Sequence, residues 1–162
     1  MLPSGNDAAI AIARHISGDE QSFVDLMNAR WRSSAWSTPT SPTPHGLHHR
    51  DHYTSAYDIA QLSAWAMRDD RLRAIVQAPQ WTVRGSRTYT VINLNGLLWY
   101  YPGSDGVKTG WHEQAGRTMV GSATRDGRRL VAVLLNDDRQ LPDTASLLAW
   151  AFAHFRWPQP QS

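Results

Sequence analysis

The chain has 162 residues, a formal charge of +2 and no cysteine, with 41% hydrophobic and 19% charged residues. That length fits one domain able to bury about 70% of its unfolded surface, and the composition is ordinary for a globular protein. Missing cysteine excludes disulfides, thiol catalysis and cysteine-ligated metals; the arginine-rich basic residues alternate with acids and form no aromatic-interleaved run, so nucleic acid is not an expected partner.

Met1-Leu2-Pro3-Ser4 has neither the basic start nor the apolar stretch of a signal peptide. Ser4-Gly5-Asn6 reads as a turn into a short apolar helix, Ala8 to Ala13, with Asp7 as N-cap and a stop near Ser17-Gly18. A second helix is expected from Asp19 to Arg32, with Phe23, Leu26, Met27 and Arg30 on one face. Ser33 to Pro44 is Ser/Thr/Pro-rich and reads as an extended loop. A helix should open at Thr54 and run to Arg68, turning Ile59, Leu62, Ser63 and Ala66 inward. Asp69-Asp70 caps a shorter one carrying Leu72, Ile75 and Val76.

After Pro79 the period moves toward two. Trp81 to Val83 and Thr88 to Ile92 are rich in strand formers, Asn93 to Asn95 is a turn, and Trp99, Tyr100 and Tyr101 read as an aromatic core cluster at a strand end. Val107 to Gly110 lies on a strand. Arg117 to Thr124 and Arg129 to Leu135 then form a hairpin around Asp126-Gly127. Leu130 to Leu135 is too short to span a bilayer. A final amphipathic helix covers Leu141 to Phe155. The fold class is therefore α+β: a helical region, antiparallel strands and a C-terminal helix packed on the sheet. One domain over residues 1–157 and a tail at 158–162 are expected, with a sheet that looks incomplete because further strands would normally precede Ser4.

Two tripeptides carry the chemistry. Lys108, the single lysine, stands in Lys108-Thr109-Gly110 on a strand, and Ser4-Gly5-Asn6 opens a helix about a hundred residues earlier. Either alone is weak; together, in those contexts, they match two of three elements of active-site-serine enzymes that process D-alanyl peptides and bind penicillin. The third, Ser-x-x-Lys, is not in this sequence, because the residue three before Lys108 is Asp105.

The likeness extends well past the tripeptides. Leu2 to Ala9, Pro44-His45-Gly46-Leu47 with His52 to Asp58, Tyr101 to Gly110, and Ala115 to Arg117 with Ser122 to Leu130 resemble the low-molecular-mass serine-type D-alanyl-D-alanine carboxypeptidases. The resemblance implies a β-lactamase/DD-peptidase-like fold and hydrolysis of the terminal D-Ala-D-Ala bond through a serine acyl-enzyme. It gives Ser4 a proton-relay role toward the leaving amine. Asn6 would orient the catalytic lysine and the substrate amide. Lys108 would supply positive charge, and Thr109 a hydroxyl, to the substrate's terminal carboxylate. Gly110 would let the substrate backbone approach, and the Trp111 N–H would be half of an oxyanion hole.

Peptidoglycan stem peptides are the implied ligands, with β-lactams if a nucleophile is supplied, and the implied location is the cell envelope. No cofactor is expected. With the nucleophile motif absent, the chain by itself is expected to be inactive. It is also expected to expose an apolar sheet or helix face through which it associates. The other reading is a non-catalytic module that keeps Lys108 and Thr109 to hold peptide carboxylates. Departures from the family pattern are Thr43 before Pro44-His45-Gly46 and Trp111-His112 after Lys-Thr-Gly, the latter bearing on substrate preference.

His45, His48, His49 and His52 could be read as a zinc site. Two of these positions are shared with the family without a metal. The expectation is therefore a structural His45 and His52, a solvated His48 and His49, and no metal. Asp69-Asp70 and Asp137-Asp138 are read as helix caps rather than paired catalytic carboxylates.

Overall fold

The computed structural model describes residues 1–33 and 40–157, so most of the Ser/Thr/Pro-rich loop's first half and the 158–162 tail lie outside the described residues. Eleven elements follow in chain order among them. They are α1 (Asn6–Ser17), α2 (Glu20–Ser33), α3 (Ala56–Ala66), α4 (Asp70–Val76), β1 (Gln80–Val83), β2 (Tyr89–Ile92), α5 (Leu97–Tyr100), β3 (Ser104–His112), β4 (Gly116–Arg125), β5 (Arg128–Leu134) and α6 (Gln140–His154).

The main sheet is antiparallel with order β3-β4-β5, while β1 and β2 form a hairpin of their own. Period-two alternation divides the main sheet into two faces. Met119 and Ala123 of β4, with Leu130, Ala132 and Leu134 of β5, pack on Leu148 of α6 and Leu97 of α5. Gly121, on that same face, leaves room for the helices: a Cβ there would meet Thr144 Cγ2 at 2.3 Å and Leu97 Cδ1 at 2.6 Å. Val107 and Val120 pack instead with Met67, Leu72 and Val76, which lie in and around α3 and α4. The result is three layers, α6 over the sheet over α3 and α4, as an α+β architecture requires.

A buried carboxylate ties the sheet to the helical layer. Asp105 accepts hydrogen bonds from Ser122 Oγ, from Thr124 Oγ1 at 2.7 Å and from Arg129 Nε at 2.8 Å. The same Arg129 donates through Nη1 to the Met67 carbonyl at 3.1 Å, just past α3. Thus the residue standing where a nucleophile motif would need serine is the structural anchor of β3.

Several local expectations are corrected. Asp7 is not the cap of α1: Gly5 is, and the Asp7 carboxylate accepts from the Ala8 N–H at 2.9 Å within the first turn. Ser55, not Thr54, opens α3: its hydroxyl accepts from the Asp58 N–H as an N-cap and donates to the Asp58 carboxylate. The stripe α2 buries contains Val24 and Trp31, whereas Leu26 is 53% exposed. Leu97 to Tyr100 is a helical turn rather than a strand end, because Asn95 Oδ1 caps it by accepting from the Leu97 N–H. In that turn only Leu97 faces the core; Trp99 and Tyr100 are exposed. Asp69 does cap α4, accepting from the Arg71 and Leu72 N–H groups.

Candidate active site

The Gly103–Gly106 segment, entered at positive φ, brings the chain into β3 so that Lys108, Gly110 and His112 fall on one face of an edge strand. The register sets these three opposite Val120, Thr118 and Gly116. They border a cleft of about 680 Å³ between the sheet, the end of α3, the N-terminal turn and the 45–54 loop. Ser4, Lys108, Thr109 and Gly110 all line it. Ser4 is exposed and held at φ 56° by a turn in which its N–H donates to the Met1 carbonyl at 3.2 Å. Asn6 and Trp111 are not among the lining residues: Asn6 is the exposed first residue of α1, and the Trp111 side chain is 70% exposed.

Lys108 is half-buried, and its ammonium donates to the Thr109 carbonyl. Among the described residues no carboxylate pairs with it. Burial alone lowers its pKa from the ordinary lysine value. A cation desolvated without an internal counter-ion is ready for an anion from outside. Gly110 has a reason internal to the chain for lacking a side chain: a Cβ there would meet Thr118 Oγ1 at 2.6 Å.

The other wall is imidazole. His45, His48, His49 and His52 all line the cleft, and His112 comes in from β3, its ring tilted against that of His48 with centroids 5.7 Å apart. His48 and His49 are therefore exposed yet part of the site. His112 was legible only as a departure from a family pattern, although its place two residues after Gly110 on a strand puts it on Lys108's face. Burial, with the like charges of His112, His45 and His49 nearby, lowers the pKa of His52. Among the described residues no group of three or more ligands is arranged to hold a metal.

A family model described as D-alanyl-D-alanine carboxypeptidase matches residues 1–139. DacA of Haemophilus influenzae, named a D-alanyl-D-alanine carboxypeptidase, is 35% identical over 166 residues, covering 96% of this chain and 40% of that protein. Penicillin-binding protein 5 from the same species superposes with a TM-score of 0.84 at 36% identity, over 93% of this chain and 44% of that one. A Streptomyces DD-transpeptidase superposes with a TM-score of 0.86 at 29% identity, over 94% and 64% respectively. The chain spans about 40% of the length of the DacA proteins it matches. With the fold, the Lys-Thr-Gly strand and the matched span in agreement, the chain belongs to the D-alanyl-D-alanine carboxypeptidase family.

Proposed function

We propose that the cleft holds the C-terminal carboxylate of a peptidoglycan stem peptide ending in D-Ala-D-Ala, as the carboxylate-binding half of a serine carboxypeptidase site. One observation carries the reading: Ser4 and Lys108-Thr109-Gly110 line a single cleft whose lysine is desolvated and unpaired by any carboxylate among the described residues. The substrate lies along the free edge of β3 as an added strand, a mode in which main-chain hydrogen bonds fix register. Lys108 and the Thr109 hydroxyl take its terminal carboxylate. Ser4 passes a proton to the departing D-alanine, Asn6 orients the catalytic lysine and the substrate amide, and the Trp111 N–H polarises the scissile carbonyl. Attack needs a serine activated by its own lysine, and this sequence has no Ser-x-x-Lys. The chain alone binds without turning over, and penicillin labels the site only when that motif is supplied. The work of such a site belongs to the cell envelope.

Two measurements test this. Titrated with N-acetyl-D-Ala-D-Ala, the chain binds, and Lys108→Met weakens binding about 10- to 100-fold, the value of a charge-assisted anchor; unchanged affinity overturns the anchoring role. Incubated with a fluorescent penicillin, it acquires no covalent label; a stable adduct would show that a nucleophile within these residues had been overlooked.

A non-catalytic binding module is the second reading, favoured by one fact: the carboxylate-holding residues are kept in a sequence without the nucleophile motif. Adding the Ser-x-x-Lys-bearing segment of a relative separates the two. Restored penicillin labelling favours the enzyme site, and continued silence with peptide still bound favours the module.

A further inference from the structure

The titratable lining of the cleft is one lysine, five histidines and one tyrosine, with no aspartate or glutamate among the described residues. A site meant only for the terminal carboxylate is complete at Lys108 and Thr109, so the imidazole wall calls for another explanation. Its geometry is specific. The Ala115 N–H donates to His112 Nδ1 at 3.2 Å, and the Leu47 and Asp51 N–H groups donate to Nδ1 of His45 and His49, each also at 3.2 Å. A ring that accepts at Nδ1 carries its proton on Nε2, so each of these three keeps an N–H donor on the side away from its backbone partner. His48 has no such bond to its ring among the described residues and lies tilted against His112.

His112 lies four residues beyond Lys108 on the same face of β3, about 13 Å along the strand. A peptide lying extended on that edge with its C-terminus at Lys108 carries its upstream side chains toward His112.

We infer that His112 and His48 form a second anion subsite, selecting peptides with a side-chain carboxylate upstream of the D-Ala-D-Ala pair. His112 donates Nε2–H to that carboxylate, and the neighbouring His48 ring forms the other side of the subsite. Sharing the cleft with the pair are His45, His49, His52 and Tyr53 from the loop, Lys108 from β3 and Met1, with Asp51 beside His49. Apart from Asp51, which is exposed, these groups are cationic or neutral.

The inference rests on the anchoring role of Lys108, so its test separates the two. Acetyl-Glu-Glu-D-Ala-D-Ala and acetyl-Gln-Gln-D-Ala-D-Ala are titrated into the full chain at neutral pH. The acidic peptide binds on the order of tenfold tighter, the worth of one charge-assisted hydrogen bond. His112→Leu and His48→Leu each cut the advantage while leaving the Gln peptide's affinity as it was; Lys108→Met weakens both peptides alike. His112→Gln, which keeps an N–H donor, restores part of the preference. Equal affinity for the two peptides in the unaltered chain overturns the subsite and leaves the Lys108 anchor standing. Equal loss for both peptides in His112→Leu would assign that residue a purely structural role and likewise overturn the subsite. Failure of both peptides to bind removes both ideas.

Discussion

On the proposed reading, Lys108 is set for its ligand at the expense of stability. Burial lowers its pKa, so the fold disfavours the charged form that an incoming carboxylate would need. The unfolded chain keeps the proton up to the ordinary lysine range, so at neutral pH charging Lys108 opposes folding. Lys108→Met is therefore expected to raise the melting temperature while weakening peptide binding; a lower melting temperature would mean that the ammonium has a stabilising partner. His52 works through the same linkage at lower pH. Its folded pKa is depressed below the ordinary 6.5, so the contribution from a neutral His52 is complete above that value and is lost as pH falls through it. The melting temperature should decline as pH falls below about 6.5, and His52→Gln should flatten that slope. Asp105 is the opposite case, a buried charge with all its partners. Removing it as Asp105→Ala strands the Arg129 guanidinium and two hydroxyls, with an expected cost of about 3 kcal/mol by chemical denaturation.

Among the elements, β3 decides the site. It is an edge strand whose inner neighbour β4 also supplies the face against α6, so a change on one face need not disturb the other. Gly121→Ala forces a Cβ into Thr144 and Leu97 and should cost about 1–3 kcal/mol by lifting α5 and α6 from the sheet. Gly110→Ala pushes instead on Thr118 Oγ1 inside the cleft. Its main effect should be weaker peptide binding, read by titration, with a smaller loss of stability. The elements themselves were largely legible: the Asp126-Gly127 hairpin, α3, α4 and α6 appear within a residue or two of where periodicity and turn residues put them. The stretch at 97–101 was misread because its aromatic run favours a strand locally. The Asn95 side chain, accepting from the Leu97 N–H two residues on, turns it into a helix, and burial of both residues in the folded chain holds it there.

At the scale of the whole molecule, the exposed apolar residues stand out. Ile12 and Ile16 of α1 are each 57% exposed, and Leu26 of α2, Ile75 of α4 and Trp81 of β1 are exposed as well. Single exposed apolar residues are ordinary, but several on the helical hairpin and on an unpaired sheet edge favour association. The chain alone should bind an apolar-surface dye and sediment above monomer mass at high concentration. A dye-silent monomer would show those faces to be adequately solvated. Among the described residues no helix is long and apolar enough to cross a membrane.

The sequence by itself determined the family, the order of helices and strands, and the identity of Lys108-Thr109-Gly110, because these depend on local periodicity and on a motif read in order. Only the tertiary structure decided which residues share the cleft. It joins Ser4 to a strand a hundred residues away, turns four loop histidines onto that strand's open face and adds His112 to them, while Asn6 and the Trp111 side chain stay outside the lining. The physical reason is that facing depends on how layers pack: the pairing register of β3 and the layer beneath it select a face, and no spacing within the 45–54 loop encodes its distance from β3.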